Sequence, residues 1–222
     1  MKIQCYDDFV HELKRAGFSI AGENPEGIFS LSMLFGDKIQ WHTENPETDP
    51  WEWRMRVLEE RDDIAYGKLF FKKGGFITKE WYPYFLCMRR KGRSFTDEYN
   101  DGNISYEAKK IYETVSGQGP IAMHVLKRAA GFSGSGNSRF DSAIIELQMK
   151  MFVTICGRSY RSALNKGWSS TVFCTCERFF GEEVFRTAAK IDRDEAFERI
   201  SSRIMELNPN AERKRLERFI CG

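Results

Sequence analysis

Apolar residues recur at helical spacing over most of this chain and at strand spacing over two short stretches. Phe9, Val10 and Leu13 share one face of a first predicted helix, with Asp7 as its cap and Gly17 at its end. In Thr48-Asp49-Pro50-Trp51-Glu52, Asp49 can cap a second helix, Pro50 suits its first position and Glu52 stands three residues past the cap. Trp51, Met55 and Leu58 continue that helix, and Lys72-Lys73-Gly74-Gly75 breaks the pattern well downstream. A further helix is expected over Thr78 to Lys91, with Trp81, Tyr82, Phe85 and Leu86 as its apolar side and Pro83 in its first turn. The polar stretch Phe95 to Asn103 reads as a linker.

Beyond it, Ser105 can cap a helix carrying Ala108, Ile111, Tyr112 and Val115, closed by Gly117. Pro120 opens another with Ile121, Val125, Leu126 and Ala129, closed by Gly131. After a Gly/Ser stretch, Ser138-x-x-Asp141 forms a capping-box pattern ahead of Phe140, Ala143, Ile144, Leu147 and Met151. Phe152 to Cys156 and Thr171 to Cys176 are rich in β-branched and aromatic residues and read as a hairpin. Three short helices and a hairpin are the order of a winged helix, whose third helix enters the major groove while the hairpin loop touches phosphates. Residues 182–222 read as two or three helices, one opened by Asp192-x-x-Glu195 and ended by Asn208-Pro209. The expected fold is therefore mainly α with small β-hairpins, a winged-helix architecture of tandem winged-helix-like units. It divides into an N-terminal Trp-rich helical unit (1–103), a winged helix (104–181) and C-terminal helices packing on it (182–222).

Composition adds limits. With 222 residues, 41% of them hydrophobic, the chain has material for a sizeable core without staples. No run reaches the roughly 18 apolar residues of a membrane span, and the amino terminus lacks the apolar stretch of a signal peptide. A cytoplasmic protein with no membrane partner is expected. The six cysteines are scattered, and the close pair Cys174-x-Cys176 would share one face of a strand; the three histidines are equally dispersed. No metal and no cofactor are expected. Residues 1–103 carry 15 Lys and Arg against 18 Asp and Glu, and residues 104–222 carry 19 against 14. The basic second half is compatible with a polyanion partner, and equally with a solvated surface.

Two groups of residues carry candidate chemistry. In the wing and third helix, Arg158, Arg161, Lys166 and Arg139 can contact phosphates of duplex DNA, whereas Ser142, Glu146 and Met149 on the outward face make a poor set for reading bases. Trp41 to Trp53, with Trp81, holds four of the five tryptophans. Trp41, Trp51, Trp53 and Tyr66 can line a pocket and stack on a base; His42 can donate a proton, and Asp49 or Glu52 can orient water. Lys68 becomes a nucleophile only if desolvated. Each has a structural alternative: aromatic core, capping for Asp49 and Glu52, a hydrogen-bonded loop for His42, a snorkelling stem for Lys68.

The stretch Ala65-Tyr66-Gly67-Lys68, Gly75-Phe76-Ile77 and Trp81-Tyr82-Pro83-Tyr84-Phe85, ending in Arg89-Arg90, resembles a block of AlkZ-type DNA glycosylases. Gly119-Pro120-Ile121, a basic wing and the exit Glu177-Arg178-Phe179-Phe180 look like a winged-helix repeat of that superfamily. Trp41-His42-Thr43 and Asp49-Pro50-Trp51 are similar to its short bacterial AlkZ-related members. The resemblance spans about Phe29 to Phe180. It implies tandem winged helices around a basic concave surface, and an activity that excises alkylated or crosslinked bases. The superfamily's Gln-x-Gln or Gln-x-Asp motif after the first helix is missing here, where the chain reads Gly17-Phe18-Ser19-Ile20-Ala21-Gly22-Glu23. Three readings follow: backbone-directed DNA binding with catalysis left open, an active glycosylase using the Trp41 to Lys68 segment, or a small-molecule or protein-binding domain.

Overall fold

The computed structural model describes residues 2–132, 137–162 and 165–222, with side chains except at 161–168. The fold is mixed α/β, built around a six-stranded antiparallel sheet in the order β1-β3-β2-β5-β6-β4. Its strands are β1 (Phe18–Ile20), β2 (Ile64–Phe70), β3 (Lys73–Thr78), β4 (Ile121–Ala122), β5 (Val153–Ser162) and β6 (Asn165–Thr175).

This sheet corrects the expectation of a mainly α chain with small hairpins. Helix α2 (Pro50–Glu60) ends at Arg61, and the apolar residues that follow it form β2 and β3. Both strands are buried almost throughout, so they lack the alternation that marks a half-exposed strand. Phe71 and Lys72, both at positive φ, make the tight turn between them. Tyr66 pairs with Ile155, which joins the N-terminal strands to the β5–β6 ribbon.

Three local expectations also change. Helix α1 (Tyr6–Ala16) starts after Cys5 without a side-chain cap, and Asp7 sits in its first turn. The expected linker contains α4 (Phe95–Asn100), opened by a Ser94/Asp97 capping box and anchored by Phe95 stacked 3.8 Å from Tyr112. Pro120 opens no helix: Ile121 and Ala122 pair with Phe173 and Val172 as β4, and α6 (Met123–Ala129) begins afterwards. α5 (Tyr106–Gln118) is capped by Ser105 as its sequence indicates. α7 (Asn137–Met149) buries Phe140, Ala143, Ile144 and Leu147, while its cap position lies outside the described residues. The order from residue 106 is thus helix, strand, helix, helix, ribbon, with β4 along the outer side of β6.

α7 is registered on β2 by Gln148, whose Oε1 accepts the Lys68 N–H at 2.9 Å and whose Nε2 donates to Ile144 O at 3.0 Å. Gly67 makes room for it, since a Cβ there would stand 2.9 Å from Gln148 Oε1. After α8 (Cys176–Phe180) come α9 (Glu182–Ala188), α10 (Arg193–Leu207) and α11 (Arg213–Cys221). α9, α10 and α11 each contact α3 (Tyr82–Arg90), and Asp192 caps α10.

Glu98 ties α4 to the end of α7. It accepts from Arg93 Nε at 2.6 Å and from Lys150 Nζ at 3.3 Å. Burial works against its charge, but these two cations outweigh it and hold the carboxyl below its ordinary pKa. A depressed folded-state pKa stabilises the fold above the unfolded value of about 4.3, and that contribution is lost as pH falls through the folded value. Glu98→Gln is therefore expected to lower the unfolding free energy read from urea titration at neutral pH by about 1 kcal/mol, and to differ little from the parent near pH ~3. A deficit that persists undiminished in acid would place the effect in packing.

Candidate nucleic-acid interface

The tryptophan segment is organised by Asp49. Pro50 follows at the first helical position, and Asp49 Oδ1 accepts the Trp51 N–H at 2.8 Å as a cap. Its Oδ2 accepts the N–H groups of Thr43 and Glu44 at 2.8 and 3.0 Å. The carboxylate is 1% exposed, and both its oxygens are committed to backbone donors. His42 and Glu44 flank Thr43 at φ 61° and 60°. Trp53 Nε1 donates to Pro46 O at 3.1 Å, and Arg56 Nη1 to the same carbonyl at 2.9 Å. The loop is fastened to α2 along its length.

The four aromatic residues separate into two roles. Trp53 is fully buried, stacked 4.9 Å from Phe9 and edge-to-face with Phe35 at 5.8 Å. Tyr66 is also buried, 5.0 Å from Phe76. Trp41 and Trp51 are 41% and 45% exposed and stand on either side of the exposed His42, whose ring is 6.3 and 4.8 Å from theirs. Arg54 supports Trp51, with its guanidinium carbon 3.3 Å from the ring centroid, Nε donating to Trp51 O at 2.8 Å and Nη1 reaching Tyr66 Oη at 3.5 Å. A shallow cleft between the loop and the sheet is lined by Phe35, Trp41, Trp53, Arg54 and Phe76.

The acidic side of α2 meets the ribbon. Glu52 and Glu59, seven residues apart, both bind Arg158 of β5. Arg158 Nη1 donates to Glu52 Oε2 at 2.8 Å and Nε to Glu59 Oε1 at 2.7 Å. Glu52 therefore serves Arg158 and does not complete a capping box on Asp49. Lys68 is exposed on β2. Arg139, at the start of α7, has a 71% exposed side chain and stands 3.9 Å from Glu107. Arg161 and Lys166 lie in the ribbon strands, with side chains outside the described residues. Glu146, on the outward face of α7, accepts from Ser105 N and Oγ at 3.0 and 2.6 Å.

Among the described residues, His42 alone of His42, Asp49, Glu52 and Lys68 carries a side chain without an ion pair or hydrogen bond and next to exposed aromatic surface. The sequence reading sets Arg54 beside the tryptophans but misses its place over the Trp51 ring, three residues earlier on the same helix face. It also missed Tyr160, 47% exposed on the ribbon, with Arg158 5.7 Å from its ring. Among the described residues no group of three or more His, Cys, Asp or Glu is placed to hold a metal ion, and no helix is long and apolar enough to cross a membrane. Residues 3–221 match the family described as AlkZ related. Comparison with curated proteins gives no match, and comparison with solved structures gives none either.

Proposed function

The chain belongs to the AlkZ-related family, and from that premise we propose that it binds duplex DNA through the phosphate backbone, using a winged helix at 104–181. The three-part division at 103/104 and 181/182 goes with this reading: a Trp-bearing unit, the winged helix, and C-terminal helices. The observation that carries it is the order α5-β4-α6-α7-β5-β6, with β4 paired to β6 and a ribbon that continues past the sheet. Beyond Gly157 and Thr171 the ribbon strands pair only with each other among the described residues. In such a module the ribbon and the start of the third helix face phosphates. Arg139 stands at that start, and Arg161 and Lys166 lie along the ribbon. Glu146, occupied by Ser105, is not available to read a base edge, which favours positioning contacts over sequence readout.

The test is fluorescence anisotropy on a labelled duplex across salt concentration. Affinity is expected to fall steeply between about 50 and 200 mM salt. Arg139→Ala should weaken binding across sequences alike and reduce the log–log salt slope by about one, and Arg161→Ala with Lys166→Ala by about two. Absence of binding to any duplex at low salt overturns the reading.

A second reading, excision of a base, is favoured by the placement of His42 between two half-exposed indoles. A flipped base would have to displace His42 from Trp51 in order to stack there. Base release from alkylated or crosslinked duplex that disappears in His42→Ala would support it; no release by the parent protein removes it.

A further inference from the structure

All six cysteines of the chain are free thiols, and two of them, Cys156 and Cys174, lie on the two paired strands at the base of the ribbon. Thr154 opposes Cys174, Ile155 opposes Phe173 and Gly157 opposes Val172, so Cys156 is the extra residue of a bulge, two residues past the partner of Cys174 and diagonal to it. Its thiol turns toward the partner strand and reaches Val172 O at 3.6 Å. Cys156 is partly exposed, whereas Cys174 and Cys176 are buried. We infer that Cys156 and Cys174 form a dithiol that a hydroperoxide converts into an intramolecular disulfide across the ribbon base.

The chemistry assigns a different part to each sulfur. The neighbouring Cys174 thiol lowers the Cys156 pKa against the opposing effect of burial, and the Arg178 charge adds to that. Cys174 itself is raised by the Cys156 thiol and by burial. The attacking sulfur is thus the accessible one, and thiolate character with access is what directs peroxide to a particular cysteine. The Cys156 thiolate attacks one peroxide oxygen; the O–O bond breaks, hydroxide leaves and takes up a proton, and Cys156 becomes a sulfenic acid. Cys174 sulfur then attacks Cys156 Sγ; the S–O bond breaks, and the departing hydroxide leaves as water with the Cys174 proton. Two electrons pass from two thiols to one hydroperoxide, and no other reactant is needed.

Ring closure requires the two Cα atoms to lie within about 4.4–6.8 Å. The bulge supplies the adjustment, because its extra residue has no Cα partner that must be given up. Cys176 is a poorer partner: it starts α8, and burial pushes its thiol up to about 12.

The experiment treats the full chain with stoichiometric hydrogen peroxide, blocks remaining thiols under denaturing conditions, and reads intact mass and non-reduced peptides. Expected are a mass lower by two hydrogens, one crosslinked peptide pair joining Cys156 to Cys174, and reversal by dithiothreitol. Cys156→Ser and Cys174→Ser should each abolish the crosslink, and Cys176→Ser should retain it. The peptide map of the unsubstituted protein decides the matter even if a variant folds poorly. The inference is overturned if both thiols remain alkylatable, if Cys156 gains oxygen without a crosslink, or if the crosslink runs through Cys176. None of these readouts involves nucleic acid, so they stand apart from the DNA-binding test.

Discussion

Arg89→Met is expected to destabilise the protein by about 3–4 kcal/mol, the net of several terms. Arg89 is buried at the end of α3 and donates to four main-chain carbonyls: Nε to Ile220 O at 3.0 Å, Nη1 to Leu69 O at 2.7 Å and Met149 O at 3.1 Å, and Nη2 to Phe219 O at 2.9 Å. Three of the four belong to the last turns of α7 and α11, where helical carbonyls have no partner of their own and the negative ends of two helix dipoles converge. This convergence supports a cation with no carboxylate beside it. Burial lowers the guanidinium to about 10, so it remains charged at neutral pH. Methionine fills similar space next to Phe70 and Phe85 but leaves the carbonyls unpaired, at roughly 1–3 kcal/mol each. Relief from desolvating a charge offsets part of that sum. For a chain of this length, the net loss corresponds to about 10 °C in Tm. Arg89→Lys should recover less than half, because an ammonium cannot span the fork of a guanidinium. Urea midpoints for both variants provide the check. An Arg89→Met protein within about 1 kcal/mol of the parent would mean that the desolvation cost had cancelled the hydrogen bonds.

Arg89 also marks the boundary of what the sequence discloses. Its partners lie 20 to 131 residues away, and no local pattern points to them. The same holds for Arg158, a natural phosphate ligand by position, whose two carboxylate partners come from a helix about a hundred residues earlier. Features closed within one turn were legible: the caps at Asp49, Ser105 and Asp192 follow from side chains that reach backbone two or three residues on. β2 and β3 were not, because strands buried on both faces give an apolar run that periodicity cannot distinguish from a buried helix. The α4 segment was hidden by its polarity, which conceals the single anchor Phe95. In the candidate interface, Trp41, His42 and Trp51 are exposed, and of the four aromatic residues read as a pocket Trp41 and Trp53 line the cleft. Trp53 and Tyr66 face the core, since residues 51 and 53 of a helix point to different sides.

Asp49→Ala is expected to cost about 2–3 kcal/mol, and its larger consequence is local. Loss of the cap on α2 accounts for about 1 kcal/mol. The remainder comes from the Thr43 and Glu44 amides, which lose a charged acceptor at 2.8 and 3.0 Å but sit where water can partly replace it. Without that acceptor, little holds the left-handed residues His42 and Glu44 in place, and Trp41 should lose its fixed position relative to Trp51. Amide exchange at Thr43 and Glu44 is therefore expected to accelerate well beyond the change in global stability, while exchange in β2 and β3 follows the global loss. Asp49→Asn should recover part of the cap but not the loop, because one of its two terminal atoms is a donor facing donors. The same variants separate the structural role from a chemical one. A carboxylate that oriented water for base excision would, when replaced, abolish base release while leaving Tm and the exchange of Thr43 and Glu44 unchanged. A carboxylate that builds the loop must show the reverse, with exchange and Tm moving first and any loss of DNA affinity following from the displaced indole.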